Sequence, residues 1–562
     1  MTRTAERRRT RDAMNERSER RDLRGRRTAR PWLSWTAALA AAVACGCAGR
    51  APHPPAQAGA PAASAPATSA PAAPPAEVAR GEQPPPSGPA KPARMPAIAW
   101  AELPSGLRVA TAVNRALPLV EVRVVIRGGS AADGERTGLA AITGELLLRG
   151  GAGGLPGREL LARVESLGAS LRVDTGLDAT VIGLRAPSDR LAEAALLLGH
   201  VVQRPRLDAA ELAKLKAQAA EAARERARSD ARWGALMVLF RDLYALPTEL
   251  HPYASFGATA AELPQITAAD CRAFHAAWYV PKNTVVVVAG DTTPEAARAA
   301  VEKAFTDRRG AEPPALSFTE PVPPASLKIT IVDRPKSAES ELFLGVLGPE
   351  RGASEWPALA VAGEILGGPS GRLSQELLEP RGPARDVSAA PLDVAHGPVP
   401  LLAHVRVPAA RTGLAAQAML EHAEQLAAAA PSQDEVDAAA RRLAAGLGLG
   451  LGTATGLADE IAVMQALDLP DDHHESYRKE LRDITPAFAG KVAHDNVRPA
   501  HAAIVVVGDA QAIGPMLSRL GDVKVVDPTR AFERKRTIPR DASASPAPAP
   551  GAGRAAPAEE PQ

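Results

Sequence analysis

The chain has 562 residues, with 66 Lys and Arg against 64 Asp and Glu and a formal charge of +2. The length admits several domains, and the charge excludes a nucleic-acid reading once it is located along the chain. Twelve Arg against five acidic residues make residues 1–30 locally +7, so the basic character belongs to the leader and the remainder is net acidic.

After that basic segment comes "PWLSWTAALAAAVACGCAGR", with an uncharged apolar run over residues 32–44. A run of about thirteen residues is too short to span a bilayer comfortably. A basic segment, a short apolar core and small residues before a cut fit a secretory signal. The small residues lead into Cys45 and Cys47. That arrangement resembles a bacterial lipobox, although no Leu stands three positions before either Cys. The leader, residues 1–47, therefore predicts an exported, periplasmic protein anchored to the membrane by a lipid on Cys45 or Cys47. A plain cleaved signal or a short anchor is the alternative, and Met14 is a second candidate start. With those two cysteines in the leader, Cys271 alone remains, and one thiol makes no disulfide framework. It lies in a helical pattern and reads as a small buried apolar residue.

Residues 48–96 are dominated by Ala, Pro, Gly and Ser and bury too little apolar surface to offset the entropy of ordering. They read as a disordered tether, and residues 536–562 as a disordered tail. Between them the chain repeats itself. "ITAADCRAFHAAWYVPKNTVVVVAGD" (266–291) and "ITPAFAGKVAHDNVRPAHAAIVVVGD" (484–509) align without a gap at an offset of 218. Each reads as a Thr-capped helix, a Pro-marked break and a buried strand ending in Gly-Asp. Upstream, "VEVRVVIRGG" (120–129) corresponds to "SELFLGVLGP" (340–349), and "TGELLL" (143–148) to "AGEILG" (362–367). A Pro-rich, unpatterned stretch near 310–325 separates the copies. The expected domains are 97–315 and 326–535. The fold class is α+β: two homologous domains, each a mainly antiparallel sheet with helices packed on one face, closing as a clamshell. The crevice between duplicated domains is the default ligand position.

Taken together, "LPSGLRVATA", "VEVRVVIRGGSAADGERTGLA", "LLLRGG", the 251–291 segment and "GEILGGPSGRLSQELLEPRG" resemble the insulinase/pitrilysin-like zinc metallopeptidases, which include mitochondrial processing peptidase. The resemblance spans about 100–530. Active members of that family carry HxxEH on a helix, two His binding zinc and the Glu polarising a metal-bound water, with a distant Glu as third ligand. Laid on this chain, the first His falls on Ala141, the general base on Gly144 and the second His on Glu145. The distant Glu falls on Glu221 or Ala222. Two small side chains and one carboxylate cannot replace that ligand set. The helix at 138–151 is then kept for its core residues Leu139, Ile142, Leu146 and Leu147, and Glu145 reads as a surface or salt-bridged carboxylate.

In the second copy, family positions for a substrate-holding Arg and Tyr fall on Leu378 and Arg385. Arg372, Arg381 and Arg385 are retained as a candidate basic patch facing the crevice, against the plainer reading that they are solvated or ion-paired. "DDHHESY" (471–477) reads as a helix start rather than a metal site, because adjacent His side chains diverge. "GLGLGLGTATG" (446–456) fits no phosphate-binding motif and reads as a broken or flexible helix. The charged run 208–232 reads as a helix with a solvated face.

The resemblance implies a non-catalytic subunit of an envelope zinc peptidase. It would hold no cofactor and no catalytic residue of its own, pair with an HxxEH-bearing homologous subunit that carries the zinc, and help enclose peptides. A scaffold or binding lipoprotein with no proteolytic role is the alternative.

Overall fold

The computed structural model describes residues 95–244, 251–306, 312–380, 382–541 and 543. The first half builds one sheet from β1 (Ile98–Glu102), β2 (Arg108–Val113), β3 (Leu119–Ile126), β4 (Ser170–Thr175), β5 (Thr180–Pro187) and β6 (Thr284–Gly290). Their order is β1-β2-β6-β3-β5-β4, and every pairing is antiparallel except β2 with β6. The second half builds β7 (Lys328–Asp333), β8 (Glu339–Glu350), β9 (Asp386–Pro391), β10 (Pro398–Pro408), β11 (Ala503–Gly508), β12 (Val523–Asp527) and β13 (Glu533–Ile538). Their order is β9-β10-β8-β11-β7-β12-β13.

The repeat seen in the sequence is thus a repeat of topology. The run β2-β6-β3-β5-β4 matches β7-β11-β8-β10-β9, with the parallel pair in the same place. The two copies of the aligned motif form the helices Ala268–Trp278 and Pro486–Asn496, capped by Thr267 and Thr485, and lead into β6 and β11. The copies diverge at one edge only: β1 runs antiparallel to β2, whereas β12 runs parallel to β7.

Helices of the first half that bear on the site are α1 (Leu139–Gly150), α2 (Ala209–Ser229) and α3 (Ala231–Tyr244). In the second half α4 (Trp356–Gly367) packs on that half's own sheet, and α5 (Ala454–Ala466) bears on the site. Each sheet packs its own helices on one face, as the sequence suggests. The other face is covered by a helix lent from the opposite half, which the sequence did not announce. On β6, Val286 and Val288 point into the core under the first half's helices. Val285, Val287 and Ala289 point the other way, against Leu457, Ala458, Ile461 and Ala462 of α5. Burial on both faces explains the unbroken valine run, which alternation would have interrupted on a half-exposed strand.

Reciprocally, α3 lies across the second sheet. A Cβ at Gly345 of β8 would stand 2.9 Å from a Leu243 methyl and 3.1 Å from one of Leu239, so glycine permits the close approach. This exchange makes the helix–sheet packing itself the joint between the halves. The α5 side of the joint is also ionic. Arg123 and Glu121 of β3 have side chains only 2% and 3% exposed and pair at 2.7 Å. Arg123 Nε also donates to Asp459 at 2.8 Å, and Thr455 Oγ1 donates to Glu121 at 2.6 Å. Arg127 donates to the Gln465 carbonyl at 2.9 Å and pairs with Asp468 at 2.7 Å. Among the described residues no helix is long and apolar enough to cross a membrane.

Candidate functional site

Asp133 sets the start of α1. Its two carboxylate oxygens accept the Gly138 and Ala140 amides at 2.6 and 2.7 Å, while Gly138 turns the chain at φ +90°. Those amides are among the unsatisfied donors of a helix start, and a buried carboxylate satisfies them as an ordinary N-cap would. From there Leu139, Ile142, Leu146 and Leu147 point into the core, all of them buried as expected. Ala141 and Glu145, one turn apart, face the opposite way, into a cavity of about 260 Å³ between the halves.

Facing them is α2, capped by Asp208 through the Ala210 and Glu211 amides. Ala219, Ala222 and Arg226 lie along its cavity side at helical spacing. This decides between the two positions the sequence left open for the distant ligand. Ala222 is on the cavity wall, whereas Glu221 does not line it and pairs with Arg224 at 2.9 Å. Glu145 sits 3.4 Å from Arg149, and burial raises its carboxyl above the usual range against the opposing pull of Arg149.

Gly144 is on neither wall. A Cβ there would meet a Val173 methyl at 3.1 Å and Thr175 Oγ1 at 3.2 Å, so a side chain at the position where a general base would stand requires those two neighbours to shift by a few tenths of an ångström. The residues present do not fit a zinc ion. Two methyl groups and one Arg-paired carboxylate leave out the imidazoles that a catalytic zinc site uses. Among the described residues no group of three or more His, Cys, Asp and Glu is placed to hold a metal.

The rest of the cavity could not be read from the sequence. Its first-half wall includes Val173, Asp174 and Thr175 from β4, an edge strand, together with Leu177, Asp178, Trp233, Phe256 and Leu263. Its second-half wall comes from Pro391, the last residue of the edge strand β9, with Leu392 and Asp393 beyond it, and from Val463, Ala466 and Leu467 at the end of α5. Asp178 ties the halves together here: it accepts the Tyr253 hydroxyl and, at 3.0 Å, the Ala395 amide. Burial raises its carboxyl to about 6. Asp393 pairs with Arg351 at 3.1 Å, Asp174 with Arg172 at 3.4 Å, and the Arg226 guanidinium stands 5.5 Å from the Trp233 ring centre.

Burial raises Asp133 from 3.8 to about 7, outweighing its two amide donors. A carboxyl raised in the folded state keeps protons that the unfolded chain has released, so its contribution to stability falls as pH rises from about 4 to about 7 and then levels. Asp133→Asn removes this titration. Its stability relative to the parent is expected to improve by on the order of 1–3 kcal/mol between pH 5 and pH 7. Urea unfolding of both proteins across that range checks this, and parallel pH profiles would contradict it.

Other sequence candidates lie elsewhere. Arg372 is bound to both oxygens of Glu435, at 2.8 and 3.2 Å, and Arg385 pairs with Glu339 at 2.6 Å. Neither lines the cavity. Arg381 lies outside the described residues, as do Cys45 and Cys47. His473 and His474 diverge, as expected of neighbours at a helix start: His473 accepts from Arg351 at 2.9 Å, and His474 lies 2.9 Å from Glu460. The glycine-rich run is a break between the helix Gln433–Gly446 and α5, which Thr453 caps. Cys271 is buried and unpaired.

Two family models match this chain. One, insulinase (peptidase family M16), covers residues 108–251, and the other, peptidase M16 inactive domain, covers residues 265–443. The crystal structure of a peptidase M16 inactive domain from Pseudomonas fluorescens is 25% identical, with a TM-score of 0.66 over 73% of this chain and 98% of that one. A protease from Helicobacter pylori shares the fold at 19% identity and a TM-score of 0.66, over 74% of this chain and all of its own. A chain of complex III2 from Candida albicans shares it at 16% identity and a TM-score of 0.63, over 78% of this chain and 99% of that one. No curated protein matches.

Proposed function

This chain belongs to the insulinase family, peptidase family M16, and on that premise we propose that it is a non-catalytic subunit that encloses peptides for a zinc-bearing partner. One observation carries the reading. A cavity lies between the two halves, and the wall positions to which the family resemblance assigns metal ligands hold Ala141, Glu145 and Ala222. The edge strand β4 lines that cavity with Val173, Asp174 and Thr175, and an edge strand offers backbone groups to an extended peptide. A wall that only holds a peptide still raises turnover by orienting it for the partner's chemistry. The partner is an HxxEH-bearing homologue, and zinc resides there. The leader motif supports export and lipid anchoring on Cys45 or Cys47 in the same envelope compartment.

The test is co-purification from membranes, followed by peptidase assays of this chain, its partner and the pair. The pair is expected to be more active than either alone, and to lose activity with a chelator. A chain that recruits no peptidase and stimulates none would leave the scaffold reading in its place. Within an active pair, Glu145→Ala is expected to change turnover by no more than about threefold, since the side chain only completes a half-exposed ion pair. A loss of several orders of magnitude would give Glu145 a chemical role. Replacing both Cys45 and Cys47 by Ala is expected to move the protein from the membrane to the soluble fraction; retention in the membrane would rule out lipid anchoring at these residues.

A further inference from the structure

The outermost strand of the second sheet carries a charge that nothing inside the molecule answers. β13 pairs only with β12, and its residues Glu533 to Thr537 are all exposed. A strand packed on a body buries alternate side chains, so this edge stands clear of the core with both faces in water. Residues 519–541 carry seven Lys and Arg against four acids, whereas residues 95–518 carry 42 against 51. The edge is thus a basic strip on an acidic body.

Most of those cations are uncommitted. A bulge leaves Lys535 without a partner in the β12–β13 ladder, and its amine reaches Asp333 at 2.9 Å and Asp527 at 3.6 Å. Arg534 and Arg536 stand on either side of it, opposite Val526 and Val525, and Lys524 stands opposite Thr537. Arg530 and Arg540 flank the strand, both exposed. Among the described residues, none of these five pairs with an acid. A bulge and one or two charges already guard an edge strand from pairing with another sheet, and five further cations exceed that need. Four of the five are guanidinium groups, which match phosphate in shape as well as charge.

We propose that this strip docks on anionic phospholipid headgroups and fixes which side of the body faces the bilayer. The membrane is the occupant because the leader reading places the chain beside one, and a polybasic patch is a common second contact beside an acyl anchor. On that reading nucleic acid is out of reach. Residues 544–562 offer only Glu559 and Glu560, too few to cover five cations. The docking rests on the export reading and is independent of the peptide-enclosing one.

The experiment uses the full chain with Cys45→Ala and Cys47→Ala. No acyl group then contributes, and with Cys271 buried a dye attaches only at a chosen site. An environment-sensitive dye on Thr537→Cys is titrated with vesicles of mixed phosphatidylglycerol and phosphatidylcholine, and with vesicles of phosphatidylcholine alone. An emission shift is expected with the mixed vesicles only, and roughly 1 M salt is expected to abolish it. Arg534→Gln/Arg536→Gln is expected to weaken the apparent affinity about tenfold or more, each cation near an anionic surface being worth about fivefold. Arg224→Gln/Arg228→Gln removes the same charge from exposed side chains of α2 and is expected to change it by no more than about twofold. All four side chains are exposed, so both double variants are expected to keep the parent's unfolding midpoint. A silent dye, an equal response to phosphatidylcholine alone, or equal losses in the two double variants overturns the proposal. An equal shift from a dye on Ser166→Cys in the first half also overturns it, tracing the contact to the basic leader. A tighter response to a DNA duplex than to mixed vesicles at equal phosphate overturns it too and assigns the strip to nucleic acid. Lipid attachment at Cys45 or Cys47 is tested by the fractionation above, so the two readings fail separately.

Discussion

Arg123→Ala is expected to lower the unfolding free energy by about 3–5 kcal/mol, the cost of stripping the partner from a buried charge. Glu121 is only 3% exposed, and its nearest positive charge is the Arg123 guanidinium at 2.7 Å. Arg185 reaches its other oxygen at 3.3 Å but is half in solvent and cannot take over both contacts. The same substitution removes one of the two hydrogen bonds that hold Asp459 of α5 to the first sheet, the other being donated by Arg172 of β4 at 2.9 Å. Asp459→Ala should cost less, about 1–2 kcal/mol, because that carboxylate is 40% exposed and Arg123 keeps Glu121, although the buried Arg123 Nε loses its acceptor. The double variant Glu121→Ala/Arg123→Ala should be more stable than Arg123→Ala alone, since no orphaned charge remains. Urea titrations of the parent and these three variants measure the differences. An Arg123→Ala midpoint equal to the parent's would show that the buried pair contributes nothing to the joint.

The second large effect is a gain. Ala141→His, Glu145→His and Ala222→Glu together place two imidazoles and a carboxylate on facing walls of one cavity, because all three parent residues already line it. The triple variant is expected to take up one equivalent of zinc, at least about a hundredfold more tightly than the parent. It should still fail to hydrolyse peptides, since position 144 supplies no base and general-base assistance is worth about 10²–10⁴ in rate. Adding Gly144→Glu is expected to cost about 1–3 kcal/mol of stability, because its Cβ already crowds Val173 and Thr175. Metal analysis, calorimetry and a peptide assay decide this. A triple variant that binds no more zinc than the parent would mean the three positions do not converge. Hydrolysis by it would mean another group acts as base.

Much of the architecture was open to reading along the chain. The 218-residue offset between the two Thr-capped motifs announced two homologous halves, and the sheets bear this out over five strands of each. Thr267 with Asp270, three residues on, does form a reciprocal capping box, because caps act between near neighbours. The absence of His from 138–151 likewise needed no structure, since ligand identity is a matter of side-chain chemistry. The choice between Glu221 and Ala222 did need one: a single-residue shift on a helix turns a side chain by about a quarter of the circumference, which alignment across a variable segment does not resolve.

What the sequence determined by itself was therefore everything carried by local order: helix periods, caps, strand runs, the duplication, and the loss of a ligand set. What the tertiary structure decided was everything built across distance. Arg123 meets Asp459 over 336 positions, Asp178 meets Ala395 over 217, and α3 and α5 trade places between the sheets. The reason is physical. Propensity and hydrophobic period act within a few residues, whereas burial of a charge, the second face of a sheet and the walls of a cavity exist only once remote segments have been brought into contact.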